Sequence, residues 1–165
     1  MVIVMLADGF EELEALTPVD ILRRGGIDVK TVGVNSRIVI GSHGISVVAD
    51  ILPDEIPLSE LDMVIFPGGM PGSTNLDKAE ITDRVIAAAK ANGARLAAIC
   101  AAPLVLGHRG LLEGKRATCY PGFEGELYGA SCVKENVVTD GYITTANGME
   151  AAMEFAKELL SLLKK

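Results

Sequence analysis

The chain has no tryptophan, and only 4% of its 165 residues are aromatic, although 49% are hydrophobic. Its core must therefore be built from aliphatic side chains, which is typical of a parallel sheet covered by helices on both faces. Basic residues are also scarce, with 15 lysines and arginines against 22 acidic residues and a formal net charge of −7. Because nucleic-acid binding depends on clustered basic side chains, we expect no nucleic-acid partner.

Cysteine is rare as well, and the chain lacks the cysteine patterns of two further classes of protein. The three cysteines, Cys100, Cys119 and Cys132, are odd in number, and no pair has the spacing of a zinc knuckle. They therefore predict neither a disulfide framework nor a metal site. A reducing compartment is the simplest expectation, which means a cytoplasmic protein.

Membrane, secretory and nucleotide-binding signals are missing too. The first seven residues are apolar, but no basic residue precedes them, so they lack the pattern of a secretory signal. The longest nearly apolar run, residues 96–107, is too short to cross a bilayer and contains Pro103. There is no Gly-x-Gly-x-x-Gly and no Gly-Lys-Ser/Thr motif. We expect no membrane partner and no nucleotide.

Apolar segments alternate with amphipathic segments along the chain, a pattern that predicts a single α/β domain over residues 1–165. The predicted strands cover residues 1–7, 27–34, 63–66 and 95–99, with a hairpin over 37–48 and short strands near 132, 137–138 and 142–144. The predicted helices cover residues 10–24, 81–91 and 149–163, and one more runs from Pro103 to about residue 110. Ligands of such sheets bind beyond the carboxyl ends of the strands.

Cys100 is the first candidate for chemistry, because it stands where an apolar strand ends and a helix can begin. Pro103 fits the first turn of a helix, which places Cys100 at the helix N-terminus. Unpaired N–H groups and the helix dipole favour a thiolate there and offer hydrogen bonds to an oxyanion. The alternative is that Cys100 is a small apolar residue of the core.

Glu14 is the second candidate. It follows Glu11 and Glu12, which are typical first-turn carboxylates, but it shares a helix face with Phe10 and Pro18. We therefore expect it to point inward, where burial raises the pKa of a carboxyl group. A protonated Glu14 could exchange its proton with a neighbouring thiolate.

Glycines follow the strand over residues 63–66, in the segment Pro67-Gly68-Gly69-Met70-Pro71-Gly72. They permit a tight strand-to-helix turn, and they also let backbone N–H groups approach a reacting group closely. The two interpretations are compatible, so this loop is a candidate oxyanion hole.

Four segments, in this order and spacing, resemble the ThiJ/PfpI superfamily, in particular its branch of Parkinsonism-associated deglycases: residues 10–14, 18–27, 66–72 and 98–103. The resemblance implies a class I glutamine amidotransferase-like domain, a flavodoxin-like three-layer sandwich with a mostly parallel central sheet that pairs into a homodimer. It also implies a nucleophilic Cys100, a protonated Glu14 and an oxyanion held by backbone amides near Gly68, Gly69 and Ala101.

The chain departs from the family pattern at three positions. Peptidase-type relatives carry a histidine directly after the nucleophile, whereas this chain has Ala101, which disfavours a cysteine peptidase. His43 stands where deglycase-like relatives often place a site-lining arginine, and it is either a site residue or a plain turn residue. Tyr120 replaces a histidine; its hydroxyl can donate a hydrogen bond to substrate, but it is a poor base.

Arg24 and Cys119 stay open from the sequence. Arg24 lies in a region that relatives use for pairing, so it either reaches toward the partner's site or is a solvated helix charge. Cys119 resolves an oxidised Cys100 only if the fold brings the two sulfur atoms together.

Two functions follow as hypotheses. In the first, the Cys100 thiolate attacks small reactive carbonyls such as methylglyoxal, or their adducts on glycated proteins, and Glu14 shuttles a proton; this glyoxalase or deglycase needs no metal and no cofactor. In the second, the chain is a redox-sensing or chaperone-like stress-response protein whose Cys100 is oxidised to sulfinic acid.

Overall fold

A central sheet organises the computed structural model, which describes residues 1–164. The strands of this part of the chain are β1 (Val2–Leu6), β2 (Val29–Gly33), β3 (Ile38–Ile40), β4 (Ser46–Val48), β5 (Met63–Phe66), β6 (Arg95–Ile99), β7 (Arg116–Ala117), β8 (Ser131–Cys132), β9 (Val137–Asp140) and β10 (Ile143–Ala146). The helices are α1 (Glu12–Arg24), α2 (Gly72–Lys78), α3 (Glu80–Asn92), α4 (Pro103–Gly107) and α5 (Ala152–Leu163). Single 3₁₀ turns cover Pro53–Glu55, Leu58–Glu60, Glu124–Glu126 and Met149–Ala151.

The main sheet has six strands in the order β2-β1-β5-β6-β10-β9. Neighbouring strands are parallel except β9, which runs antiparallel to β10 at the edge. Two small ladders lie outside it, the antiparallel hairpin β3–β4 and the parallel pair β7–β8. The prediction of a single α/β domain with a mostly parallel, flavodoxin-like sheet is therefore confirmed.

Alternate residues of each central strand enter two separate cores, one on each face of the sheet, as the period of two requires. In β6, Leu96 and Ala98 pack with α2, α3 and α4, whereas Ala97 and Ile99 pack with α1 and α5. Most residues of β1, β5 and β6 are apolar because both faces of the sheet are covered. These layers form the three-layer sandwich.

The helices differ from the sequence prediction at several places: α1 begins at Glu12 rather than at residue 10, and Met149–Ala151 forms a 3₁₀ turn before α5. Helix α2 was not predicted, and α4 spans Pro103–Gly107 instead of continuing to about residue 110. Gly107 packs so closely that a Cβ on it would lie 2.2 Å from the carbonyl oxygen of Glu126. Cys100 lies in the turn before α4, three residues ahead of Pro103, the first residue of that helix. None of the helices formed by residues 1–164 is long and apolar enough to cross a bilayer.

Candidate active site

Cys100 occupies the turn directly after the central strand β6, at the carboxyl edge of the sheet. Its φ angle is 65°, the left-handed conformation that residues other than glycine rarely adopt. Two hydrogen bonds hold it there: its N–H donates to the Ala146 carbonyl at 2.9 Å, and its carbonyl accepts from the Tyr120 N–H at 2.8 Å. A strained backbone held in this way is a frequent device for presenting a nucleophile.

Glu14 lies in the first turn of α1 and points inward, with 1% of its surface exposed. The helix begins at Glu12 because Glu11 caps it, its Oε2 accepting from the Glu14 N–H at 2.9 Å. This cap fixes the direction in which Glu14 leaves the helix. The expectation that Glu14 faces the interior is met.

Gly68 brings Cys100 and Glu14 together. A Cβ built on Gly68 would lie 2.3 Å from Glu14 Oε2 and 2.5 Å from Cys100 Cβ. The carboxyl group and the thiol side chain therefore meet over the bare Cα of this glycine. A residue with a side chain at position 68 would separate or displace them.

Burial raises the pKa of Glu14 to about 7, and the negative charge of Glu11 also raises it. The Cys100 side chain and the Gly68 backbone amide lower this pKa, but they do not outweigh burial. Among residues 1–164, no group makes a hydrogen bond of ordinary length and angle with the buried Glu14 Oε2. This oxygen can therefore carry a proton and donate it to a bound ligand.

The Cys100 thiol has a raised pKa, which differs from the sequence expectation of a thiolate stabilised by its own helix. Burial, together with the charge of Glu14 and its hydrogen bond, raises the pKa of Cys100 to about 12. The helix behind it has only five residues and begins at Pro103, so the dipole does not outweigh burial. Because two buried negative charges repel, a thiolate forms here only while Glu14 keeps its proton.

Two of the three amides predicted for an oxyanion site face the sulfur. Hydrogen bonds from the backbone N–H groups of Gly69 and Ala101 lower the pKa of Cys100. The Gly68 amide lowers the pKa of Glu14 instead, so it faces the carboxyl group. Gly69 has a φ of 91°, and a Cβ there would lie 2.4 Å from the Glu11 nitrogen, so this loop requires glycine.

His43 holds the bend of the β3–β4 hairpin against the start of α1. Its Nδ1 lies 2.9 Å from Glu12 Oε2, and its backbone N–H donates to Glu12 Oε1 at 2.8 Å. These interactions with Glu12 raise the pKa of His43. Its side chain is 70% exposed, and its hydrogen bonds are to residues of the bend and of α1. These contacts connect the bend to α1, and a role of His43 as a site residue stays a prediction.

Glu12 is the residue that sequence reasoning missed, because a first-turn acid is ordinarily a simple cap. Its side chain is buried and fastens the hairpin through His43. Within residues 1–164, one group of three or more side chains has metal-ligand geometry: Glu11, Glu12 and His43, with ligand atoms within 4.8 Å of one another. Hydrogen bonds within the hairpin already engage Glu12, so the group serves the loop and gives no support to a metal.

Tyr120 stands beside the Cys100 turn, with half of its surface exposed. It lines a cavity of about 370 Å³ together with Pro121 and residues 147–150. Arg24 is the last residue of α1, and its Nε lies 2.7 Å from Asp20 Oδ2.

Cys119 and Cys100 are associated with different cores. Cys119 belongs to the core that contains α2, α3 and α4, whereas Cys100 packs against the core that contains α1 and α5. Cys119 directly precedes Tyr120, whose N–H donates to the Cys100 carbonyl, so the two backbone segments are adjacent although the side chains enter different cores. A role of Cys119 as the resolving thiol stays a prediction.

The fold and the strand-end cysteine define a class, the flavodoxin-like proteins with a thiol at the carboxyl edge of the sheet. A family model described as the DJ-1/PfpI family matches residues 1–162. The chain belongs to the DJ-1/PfpI family.

Named relatives agree with this membership. "Protein DJ-1 homolog B" of Arabidopsis thaliana is 40% identical over 165 residues, covering 98% of this chain and 38% of that protein. This chain spans about two fifths of the length of the two Arabidopsis relatives that it matches. "Deglycase PYRAB04690" of Pyrococcus abyssi is 28% identical and is covered over 99% of both chains. "Glutathione-independent glyoxalase DJR-1.2" of Caenorhabditis elegans is 29% identical over 93% of this chain and 83% of that protein.

The structure is also similar to a solved one described as "Toxoplasma gondii DJ-1, oxidized". The TM-score is 0.93 at 35% identity, with 98% of this chain and 89% of that chain covered.

Proposed function

We propose that the chain is a glyoxalase or deglycase that uses Cys100 as nucleophile and Glu14 as proton carrier, without a metal or cofactor. One observation carries the proposal: the Glu14 carboxyl, with its pKa raised to about 7, meets the Cys100 side chain across Gly68. Such a group is half protonated near neutral pH, so it can both give and take a proton. Relatives named deglycase and glyoxalase support this choice of reaction.

The first step is addition of the sulfur to the aldehyde carbon of a substrate such as methylglyoxal. The thiol proton passes to the carbonyl oxygen, and the product is a hemithioacetal. While negative charge develops on that oxygen, the N–H groups of Gly69 and Ala101 are positioned to stabilise it.

Glu14 then moves one proton between the two carbons of the adduct. It removes the proton from the carbon bonded to sulfur and returns a proton to the neighbouring carbon, while the hydroxyl proton of the first carbon passes to the oxygen of the second. These transfers convert the hemithioacetal into a 2-hydroxy thioester. Water cleaves the thioester, releases lactate and restores the thiol. The oxidation of one carbon balances the reduction of the other, so no external oxidant is needed.

The test follows the loss of methylglyoxal and the formation of lactate. We expect Cys100→Ser to abolish turnover and Glu14→Gln to lower it by about 10²- to 10⁴-fold, the usual contribution of a positioned proton carrier. Cys132→Ser is the matched control, because this exposed thiol lies outside the proposed site and its loss is expected to leave the rate unchanged. Equal rates in wild type, Cys100→Ser and Glu14→Gln would refute the proposal.

A redox-sensing stress-response protein is the second candidate, and one feature of the site favours it. A protonated Glu14 Oε2 can donate a hydrogen bond to a sulfinate oxygen on Cys100. A solved structural relative is described as oxidized. If this function is correct, mild peroxide adds two oxygen atoms at Cys100 and methylglyoxal is not turned over; intact-protein mass and the lactate assay distinguish the candidates.

We also propose that two copies of the chain form a homodimer. Exposed apolar side chains occur on α1 and on the β3–β4 hairpin, at Leu13, Ile38, Ile40 and Val48. The hairpin is fixed to the loop before α1, because the Gly9 N–H donates to the Ile40 carbonyl and the Ser42 N–H to the Phe10 carbonyl. The His43 N–H, which donates to Glu12 Oε1, connects it to α1 itself. An apolar surface of this kind is typical of a protein interface. In such a dimer, Arg24 is a candidate to reach the site of the partner subunit. The cytoplasmic location of the protein stays a prediction.

A further inference from the structure

A second pair of cysteines lies on the short parallel ladder formed by β7 and β8. In this ladder Ala117 is paired with Cys132, and the Val133 N–H donates to the Ala117 carbonyl at 2.9 Å. Cys119 follows Ala117 by two residues, so both thiols occur at the carboxyl ends of neighbouring strands. Neither has a part in the chemistry proposed for Cys100.

Both thiols line one cavity of about 440 Å³ and contact one turn of the chain. A hydrogen bond from the Phe123 backbone N–H lowers the pKa of Cys119, and Cys132 Sγ lies 3.8 Å from the Glu124 carbonyl oxygen. Because Phe123 and Glu124 are consecutive residues, both sulfur atoms lie beside the same turn, and the charge of Cys132 also raises the pKa of Cys119.

The two thiols differ in access. Cys119 is 6% exposed and reaches open space through the cavity, whereas Cys132 lies on the surface. A reagent from solution therefore meets Cys132 first, and Cys119 is placed to act on the product from within.

We propose that Cys119 and Cys132 form a dithiol site that exchanges with small organic disulfides, the class that includes oxidised glutathione. Cys132 attacks one sulfur of the disulfide, forms a mixed disulfide and releases one small thiol. Cys119 then attacks the Cys132 sulfur, forms the Cys119–Cys132 bond and releases the second small thiol. The two protein thiols are oxidised, the small disulfide is reduced, and the two protons leave with the released thiols.

Burial and negative charge in the cavity both slow this exchange by keeping the thiols protonated. Burial raises the pKa of Cys119 to about 12 and also raises the pKa of Cys132, and the Glu124 carboxylate raises both. Since the thiolate is the attacking species, the exchange is expected to accelerate with increasing pH. Replacing Glu124 with glutamine removes a negative charge and is expected to accelerate it at neutral pH.

The experiment uses oxidised glutathione and the Cys100→Ser protein, in which Cys119 and Cys132 are the remaining thiols. Intact mass without reductant is expected to fall by two hydrogens, with no glutathione attached. Adding Cys119→Ser should leave one glutathione on Cys132, and adding Cys132→Ser should leave the protein largely unmodified. Peptide mapping of wild-type protein should locate the same bond, and circular dichroism checks that every variant is folded.

Three results would overturn the proposal. They are a stable glutathione adduct on Cys132 while Cys119 stays free, a disulfide between two chains on a non-reducing gel, or no reaction of folded protein even at raised pH. Failure here leaves the function proposed for Cys100 untouched, because the lactate assay does not involve these two thiols.

Discussion

The absence of a side chain at Gly68 determines whether the two candidate catalytic groups can meet. The carboxyl group of Glu14 and the thiol of Cys100 come from elements far apart in sequence, and they meet only because position 68 carries no Cβ. The sequence identified all three residues as candidates. It could not predict the raised pKa of Cys100, because that value depends on how deeply other elements bury the sulfur.

The first prediction at this scale is that Gly68→Ala lowers stability and abolishes turnover. The new methyl group would overlap Glu14 Oε2 and Cys100 Cβ, and overpacking of this kind costs about 1–3 kcal/mol. Urea denaturation and the lactate assay measure the two effects. Gly125→Ala is the matched control, since nothing lies within 4 Å of a Cβ there; an equal loss in both variants would contradict the prediction.

The second prediction concerns the proton on Glu14. Its pKa is about 7 in the folded protein, whereas the ordinary value for a glutamate side chain is 4.5, so between these values the folded state binds more protons than the unfolded state. Stability from this group is therefore present at low pH and is lost as pH rises from about 4.5 to about 7. The free energy of unfolding of wild type minus that of Glu14→Gln should fall by roughly 3 kcal/mol between about pH 4.5 and pH 8. A difference independent of pH would show that folding does not raise the pKa of Glu14.

At the scale of elements, long buried segments were predictable and short ones were not. The strands β1, β2, β5 and β6 and the helix α3 appear as predicted, because their apolar spacing is strong. Helix α2 escaped prediction because its sequence, Gly-Ser-Thr-Asn-Leu-Asp-Lys, lacks an apolar period. Its first turn depends on the Ser73 N–H bonding the Gly69 carbonyl, a contact with the preceding loop.

His108 joins three elements just after α4, which is the basis of a third prediction. Its Nδ1 and Nε2 each lie 2.7 Å from a carboxylate oxygen, of Asp77 on α2 and Glu126 on a 3₁₀ turn. Burial lowers the pKa of His108, but the two carboxylates outweigh burial and raise it. The stabilisation is therefore complete below the unfolded pKa and is lost as pH rises through the folded value.

We expect His108→Gln to destabilise the protein by about 0.2–1 kcal/mol near pH 5.5, the range of partly exposed ion pairs, and by less near pH 9. Thermal unfolding of both proteins at the two pH values measures this. An equal loss at both values would mean that ring packing on Tyr128, at 5.0 Å between centroids, carries the effect.

For the whole molecule, the order of four short segments was enough to predict the sandwich and the family. What the sequence could not predict were contacts between distant parts, such as Glu12 with His43, 31 residues away. The homodimer depends on such a surface, and it remains a proposal that the exposed apolar residues support.

The fourth prediction tests that surface. Val48 is 69% exposed on the hairpin, and Val48→Lys should lower the dimer fraction in sedimentation velocity, because a charge would be buried at the interface. Met153→Lys is the matched control, because Met153 is 46% exposed on α5. If both changes leave the sedimentation coefficient unaltered, the hairpin is not the contact.

The hydrogen bond from the Tyr120 N–H to the Cys100 carbonyl gives the protein a built-in reporter. The amide proton of a nitrogen that lies 2.8 Å from that oxygen changes its resonance frequency when the peptide group it touches shifts. In a nitrogen–proton correlation spectrum, the Tyr120 peak is therefore expected to move whenever the neighbouring sulfur acquires an adduct, whether from a carbonyl or from peroxide. The arrival of any such group can thus be followed with unlabelled reagent, from a backbone position that takes no part in the reaction.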